Sequence, residues 1–411
     1  MLVHLSSNRL ISTEQHGFLP KRSTTTQLWS YLNDWMDNFD QSIDTNVVYT
    51  DFSKAFDKVS HKKLVYILST YGIKGSILTW IKNFLVNRQQ TVHINTSSSR
   101  KVQITSGVPQ GSVMGPLLFL LYIDDIKDLS TTGCQAYLFA DDYKVYSTDK
   151  HALQQTLNNV SSFTKSRQLT LALPKCNHLL ITNGNEHTNL KLDNDTLSPV
   201  WNVRDLGVQI KHNLKWDLHI TNIKNKAVQR SYQIFRAFTT KNIWTLLKCY
   251  NVYVRPLLEL NTIIWNPYMI KDINAIESVQ EFFLKTICRR CSVPSDNYPH
   301  RLKMLDMKSL EYRRIEFDQI FMYKIKHKIV DLNFEDFFRD LDTPYSLRSN
   351  DSKVNRTKTN KLPKENFFVL RAAKVWNQLP KNIVNASSLN IFKNLLRSFN
   401  LSKFTINKYD S

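Results

Sequence analysis

The spacing of apolar residues changes period several times along the chain, and each change marks an element. From about Thr24 to Asn38, Leu28, Tyr31, Leu32 and Trp35, with Phe39 just beyond, recur at helical intervals. Val47-Val48-Tyr49-Thr50-Asp51 then alternates, which puts Val47, Tyr49 and Asp51 on one face of a short strand. A helix bearing Leu64, Ile67, Leu68 and Tyr71 follows the tight Ser53-Lys54 connection. The run from Ile81 to Asn95 reads as a helix end passing into a strand, with Val102 to Thr105 as its partner. Around Ala140-Asp141-Asp142, the flanks Tyr137-Leu138-Phe139 and Tyr143-Lys144-Val145-Tyr146 have the aromatic and β-branched bias of strands. They predict a β-hairpin with Asp141 and Asp142 at its tip.

Further on, Leu153, Leu157, Val160 and Phe163 predict a helix over 151–168, and Leu179 to Thr182 a strand. Asn183 to Ser198 is polar and reads as a connection, after which Leu206, Val208 and Ile210 alternate. From His219 the pattern is helical, with Ile220, Ile223, Ala227, Ile234, Phe235 and Phe238 interleaved with cations. Helices around Trp244 to Leu258 and Ile273 to Ile287 follow. A last stripe, Phe368, Ala372, Val375, Trp376 and Leu379, is ended by Pro380. Ser349 to Lys364 is polar and basic and reads as a mobile linker.

Two of these elements carry bare carboxylates. Adjacent Asp141 and Asp142 repel each other, so a fold that presents them together needs countercharge, most simply a divalent cation. A third aspartate, Asp51, ends a strand of its own. A strand-end aspartate beside a hairpin Asp-Asp builds a site for two Mg²⁺ ions roughly 3.5–4 Å apart, suited to in-line phosphoryl transfer. With no histidine or thiolate nearby in sequence, the donors are hard oxygens, which favours Mg²⁺ with Mn²⁺ as a substitute.

Asp-Phe-Ser-Lys-Ala-Phe-Asp-Lys-Val (51–59), Gly-Val-Pro-Gln-Gly-Ser-Val-Met-Gly-Pro-Leu (107–117) and Phe-Ala-Asp-Asp (139–142) resemble, in order and spacing, the polymerase motifs of reverse transcriptases. The likeness is strongest to non-LTR (LINE-like) retrotransposons of the jockey or CR1 type. The resemblance implies an α+β right-hand polymerase: fingers and palm over 1–185, a primer-grip hairpin and helical thumb over 186–290, and a mainly helical extension over 291–411. An antiparallel palm sheet backed by helices is the expected centre. It further implies that Asp51, Asp141 and Asp142 hold the metals, Asp141 as direct ligand and Asp142 more in support.

Other roles follow from the same resemblance. Phe56 takes the place of a steric gate against a ribose 2′-hydroxyl, next to Phe52. Gln110 and Gly111 lie against the incoming dNTP. Lys175, in Leu-Thr-Leu-Ala-Leu-Pro-Lys (169–175), fits a lysine that protonates pyrophosphate, although Ala172 replaces the family's usual asparagine. Gln15-His16-Gly17-Phe18 with Ser23 to Leu28 matches a finger block, where Lys21 and Arg22 could face a triphosphate. Arg88, Gly207, Lys224 and Arg230 are candidates for contacts with template and primer. In relatives an endonuclease and further finger segments precede this block, so the chain reads as a fragment that relies on a separate endonuclease.

Charge and cysteines fit that reading. Lys and Arg outnumber Asp and Glu by 55 to 35, a net +20 that suits a polyanion, here an RNA template and a DNA primer. Five scattered cysteines fit a reducing, intracellular compartment, nuclear if a chromosomal nick is the primer. Cys288-Arg-Arg-Cys291 has zinc-ligand spacing, but after His300 the place of a fourth ligand is taken by Leu305. The longest apolar run, Pro116 to Ile123, is too short to span a bilayer. Tyr122-Ile123-Asp124-Asp125 imitates a retroviral motif, yet it continues a helix and precedes no returning strand, so it reads as a helix end. The competing reading of the whole chain is an inactive, nucleic-acid-binding remnant of such an element.

Overall fold

The computed structural model describes residues 1–184, 189–336, 338, 354, 359 and 361–410. The chain forms two compact units, Met1–Gln27 with Ser42–Val203, and Leu28–Gln41 with Arg204–Ser411.

The first unit is built on a five-stranded sheet. Its strands are β1 (Thr45–Thr50), β2 (Gln135–Phe139), β3 (Asp142–Ser147), β4 (Asn177–Ile181) and β5 (Pro199–Val200). Their spatial order is β5-β4-β1-β3-β2, with the Asp51-bearing strand in the middle. Val47 lies opposite Tyr146 on one side and Leu179 on the other, both antiparallel. Only the short β5 runs parallel to its neighbour. The β-branched pair Val47-Val48 is fully buried, as a central strand covered on both faces requires.

One core gathers Val48, Leu64, Leu68, Leu118, Tyr122, Leu138, Val145, Leu157 and Val160 from sheet and helices together. The helix Met114–Ile123 is buried from Leu117 to Ile123, because a helix apolar all round has no face to give to water. The helix Lys150–Arg167 starts at Asp149, whose carboxylate accepts from the amides of His151 and Ala152. The connection expected at 183–198 is instead a second hairpin, Leu190–Leu192 with Asp195–Leu197. Leu190, Leu192 and Leu197 join the core, so three leucines in a polar stretch were enough to order it. Residues 185–188 of that stretch, and most of the linker expected at 349–364, lie outside the described residues.

The motif at 122–125 is structural, as its context predicts. A 3₁₀ turn, Asp124–Leu129, continues the helix. Asp124 is 2% exposed and accepts from the Ser12 amide at 3.1 Å, while the Tyr71 hydroxyl and Lys127 each donate at 3.2 Å. Asp125 is paired with Arg167.

In the second unit, the helix Asp217–Ala237 packs on Ile270–Arg290, with the Phe235 and Phe283 rings 4.7 Å apart. Between them, Ile243–Cys249 and Arg255–Glu259 are joined through a π-helical turn, Tyr250–Val254. Pro256 has no amide to donate and crowds the preceding turn; the wider π turn gives it room. The Leu28–Gln41 part of the first long helix belongs here. Trp29, fully buried, meets Phe321 at 6.4 Å and Phe368 at 5.9 Å, both edge-on. A buried ion pair, Arg371 with Asp318 at 2.7 Å, joins two of the surrounding helices, and Arg371 also donates to the carbonyls of Thr262 and Ile263. No described helix is long and apolar enough to cross a membrane.

Replacing Trp29 with alanine empties the centre of this aromatic group. The expected cost is about 3–5 kcal/mol, read as a lower urea midpoint of the second unit by tryptophan fluorescence and circular dichroism.

Candidate catalytic site

Asp51 is the first residue beyond β1, and backbone pairing fixes its position. Its carbonyl accepts from the Ala172 amide at 2.7 Å, the Ser53 amide donates to Thr170 at 2.8 Å, and Phe52 bridges Leu171. The segment 170–172 therefore extends the sheet just far enough to grip the aspartate. Beyond it, Lys54 takes a left-handed conformation, and the turn Ala55–Lys58 folds back.

Asp141 stands in a two-residue loop. Phe139 and Asp142 are paired across the hairpin, and Ala140 adopts φ 58° between them. A left-handed alanine costs about 1–2 kcal/mol, so something must hold it. That holder is a segment near the N-terminus. Gln15 pairs in parallel with Leu138, the His16 amide donates to the Leu138 carbonyl at 2.8 Å, and the Leu138 amide to Glu14 at 3.0 Å. The Gln15 side chain, 1% exposed, then accepts from two amides through Oε1, Gly17 at 2.7 Å and Ala140 at 3.0 Å.

These two anchorages bring Asp51 and Asp141 together. The Asp141 carboxyl is held above its ordinary range, first by burial and then by the negative charge of Asp51. Lys175 lies 3.7 Å from the Asp51 carboxylate, on a side chain that is 70% exposed. Asp142 is placed differently. It opens β3, paired with Phe139, and is exposed. Among the described residues no group of three His, Cys, Asp or Glu is close enough to hold a metal ion. The expected three-carboxylate cluster is thus an assembled pair, Asp51 with Asp141, and an adjacent Asp142. The same holds at Cys288 and Cys291, whose thiols are free. Two hard-oxygen donors, one of them destabilised by the other's charge, are a donor set that fits a divalent cation.

The glycine-rich loop is stitched to the turn after Asp51. The Gly107 amide donates to Val59 at 2.8 Å and the Val108 amide to Phe56 at 2.9 Å. Gly107 has φ +89°, and a Cβ there would sit 2.8 Å from the Asp57 carbonyl oxygen, so only glycine fits. Gln110 is exposed and donates to Asp57 Oδ1 at 2.9 Å, while Gly111 has open space at its Cα. Phe56 is half-buried and stacks on Phe119, with ring centroids 4.3 Å apart.

Two expected substrate residues are otherwise engaged. Phe52, 4% exposed, is a core residue because its strand position turns it inward. Arg22 is committed to the carbonyls of Ser12 and Gln15, where it braces the segment that holds the hairpin. Lys21 is exposed and Arg88 half-buried. In the second unit, Gly207 makes a turn with φ +91°, and Lys224 and Arg230 lie on the helix Asp217–Ala237. Gln15 and Asp57 were passed over as site residues in the sequence. Both stand within quoted motifs, but no local period reveals that an amide reaches a loop 125 residues away.

Residues 1–210 match the family described as reverse transcriptase (RNA-dependent DNA polymerase). The chain belongs to the reverse transcriptase family. Its relatives include the RNA-directed DNA polymerase from mobile element jockey of Drosophila funebris, 24% identical over 70% of this chain and 34% of that one. The probable RNA-directed DNA polymerase from transposon BS of Drosophila melanogaster is 26% identical over 69% of this chain and 33% of that one. An uncharacterised Caenorhabditis elegans protein is 32% identical over 28% of this chain and 59% of that one. The chain thus spans about a third of the length of the transposon polymerases it matches. The family match and these relatives agree with the resemblance carried by the motifs, to reverse transcriptases of non-LTR retrotransposons. Reverse transcriptases generally use divalent metal ions, in keeping with the paired carboxylates.

Because the folded state disfavours the charged form of Asp141, Asp141→Asn should raise the melting temperature of the metal-free protein at pH 7. The penalty exists only where the carboxyl is ionised, so the gain should shrink as pH falls into the ordinary carboxylate range. Thermal melts of both proteins across that range read the effect.

Proposed function

We propose that the chain is the polymerase portion of a non-LTR retrotransposon reverse transcriptase, which extends a primer 3′-hydroxyl with dNTPs on an RNA template. The observation that carries this reading is the β1–β3 register, Thr50 opposite Tyr143, which sets Asp51 at the end of one strand beside the hairpin tip that bears Asp141, within a reverse transcriptase region. When bound at these carboxylates, two Mg²⁺ ions, with Mn²⁺ as a substitute, supply charge stabilisation for phosphoryl transfer. Asp51 and Asp141 provide the hard-oxygen donors, and Asp142 adds negative charge from the head of β3. Lys175, already beside Asp51, carries a proton on Nζ for the departing pyrophosphate. Phe56, braced by Phe119, fills the place of a 2′-hydroxyl, and Gly111 leaves the backbone open to the nucleotide beside Gln110.

In this proposal residues 1–185 act as fingers and palm, 186–290 as primer grip and thumb, and 291–411 as an extension. Lys21 and Arg88 serve the template and triphosphate side. Gly207, Lys224 and Arg230 serve the primer duplex, within a chain of net charge +20. A nicked DNA target supplies the primer, which calls for an endonuclease and a nuclear reaction.

The test is incorporation of dNTPs on a primed RNA template with Mg²⁺. Asp51→Asn and Asp141→Asn should each lower the rate by more than about 100-fold while leaving primer–template binding intact. Tight binding without incorporation by the unaltered chain would identify an inactive remnant instead. Phe56→Val should improve relative use of ribonucleotides by roughly tenfold or more, the scale of one lost steric contact, as measured by competing rNTP and dNTP incorporation.

A further inference from the structure

We infer that Gln15 is a positioning residue for Asp141, setting the catalytic hairpin through its side-chain amide. The inference rests on the polymerase reading above but has consequences that can be seen without catalysis. Asp141 sits in a loop whose other residue, Ala140, is in a conformation that L-residues disfavour. At the position that takes the positive φ the sequence offers Ala140, where such loops use glycine, asparagine or aspartate.

The stabilisation comes from outside. One buried oxygen, Gln15 Oε1, takes the amides of Gly17 and Ala140 together. It therefore ties the left-handed residue to a segment that is itself fixed at several points. Backbone pairing holds it to β2, Arg22 grips its carbonyls at Ser12 and Gln15, and His16 Nδ1 lies 3.1 Å from the Thr26 hydroxyl. Gly17 shows how close the approach is, because a Cβ there would stand 2.4 Å from the Ala140 nitrogen. The geometry makes Gln15 a bridge between the finger segment and the aspartate.

Only an acceptor in that position satisfies both amides. Gln15→Met keeps the volume and removes the acceptor, leaving two buried N–H groups unpaired. Gln15→Glu keeps an acceptor oxygen but places a second negative charge near Asp141. Gly17→Ala keeps the glutamine but crowds the bridge, its Cβ 2.4 Å from the Ala140 nitrogen and 3.1 Å from Gln15 Oε1.

The experiment measures three properties of the full chain: amide hydrogen exchange at Ala140 and Gly17, Mn²⁺ binding by electron paramagnetic resonance, and incorporation on primed RNA. In Gln15→Met, exchange at Ala140 should quicken at least about tenfold, the factor set by one lost buried hydrogen bond. The Mn²⁺ concentration for half-occupancy should rise by about 10–100-fold. Exchange in the helix Lys150–Arg167 should be unchanged, and Gly17→Ala should reproduce the Mn²⁺ effect. Gln15→Glu should keep Ala140 protected and move the acidic limb of the pH–rate profile upward. Unchanged Mn²⁺ binding in both Gln15→Met and Gly17→Ala overturns the inference, as does loss of protection throughout the unit, which would make Gln15 merely structural. Absence of incorporation by the unaltered chain counts against the polymerase reading alone, since exchange and Mn²⁺ binding still decide on Gln15.

Discussion

Two like charges are held beside each other in a half-buried site, and neither carboxylate contributes the bonds that keep it there. Asp51 is fixed by backbone pairing with 170–172, and Asp141 by a turn that a distant glutamine closes. The raised proton affinity of Asp141 is the electrostatic sign of that arrangement. The sheet order β5-β4-β1-β3-β2 serves the same end, because it makes the strand before Asp51 and the strand after Asp141 direct neighbours. With β1 and β3 in register, Thr50 opposite Tyr143, the end of β1 lies beside the hairpin tip, and the turn that Gln15 closes sets Asp141 within it.

Much of this was legible in the residues. Alternation in Val47 to Asp51 and the aromatic flanks of Asp141 gave the two strands their places, and helical spacing foretold the helices that cover the sheet. Context separated the structural Asp124-Asp125 from the catalytic candidates, and burial of Asp124 agrees. What escaped was whatever depends on contacts between distant segments. Arg22 stands in a finger block where a cation could face a triphosphate, yet the carbonyls of Ser12 and Gln15 engage it. Phe52 shares a motif with Asp51 but turns into the core, since adjacent strand residues cannot face the same way.

Family membership and geometry support each other at different scales. The matched region, residues 1–210, contains both aspartates, the glycine-rich loop and Gln15. The helices of the second unit are bound together by apolar and aromatic contacts and by the buried Arg371–Asp318 pair.

The grouping of Leu28–Gln41 with residues beyond Arg204 has a consequence for how the protein is made. Trp29 leaves the ribosome long before its ring partners Phe321 and Phe368. Contacts of such sequence separation are slow to form. Until they do, Trp29 has neither of these rings to bury against. Premature termination upstream of Phe368 would leave that helix permanently unsheltered, and the product would be a target for chaperones and proteases even with every residue of the catalytic sheet in place.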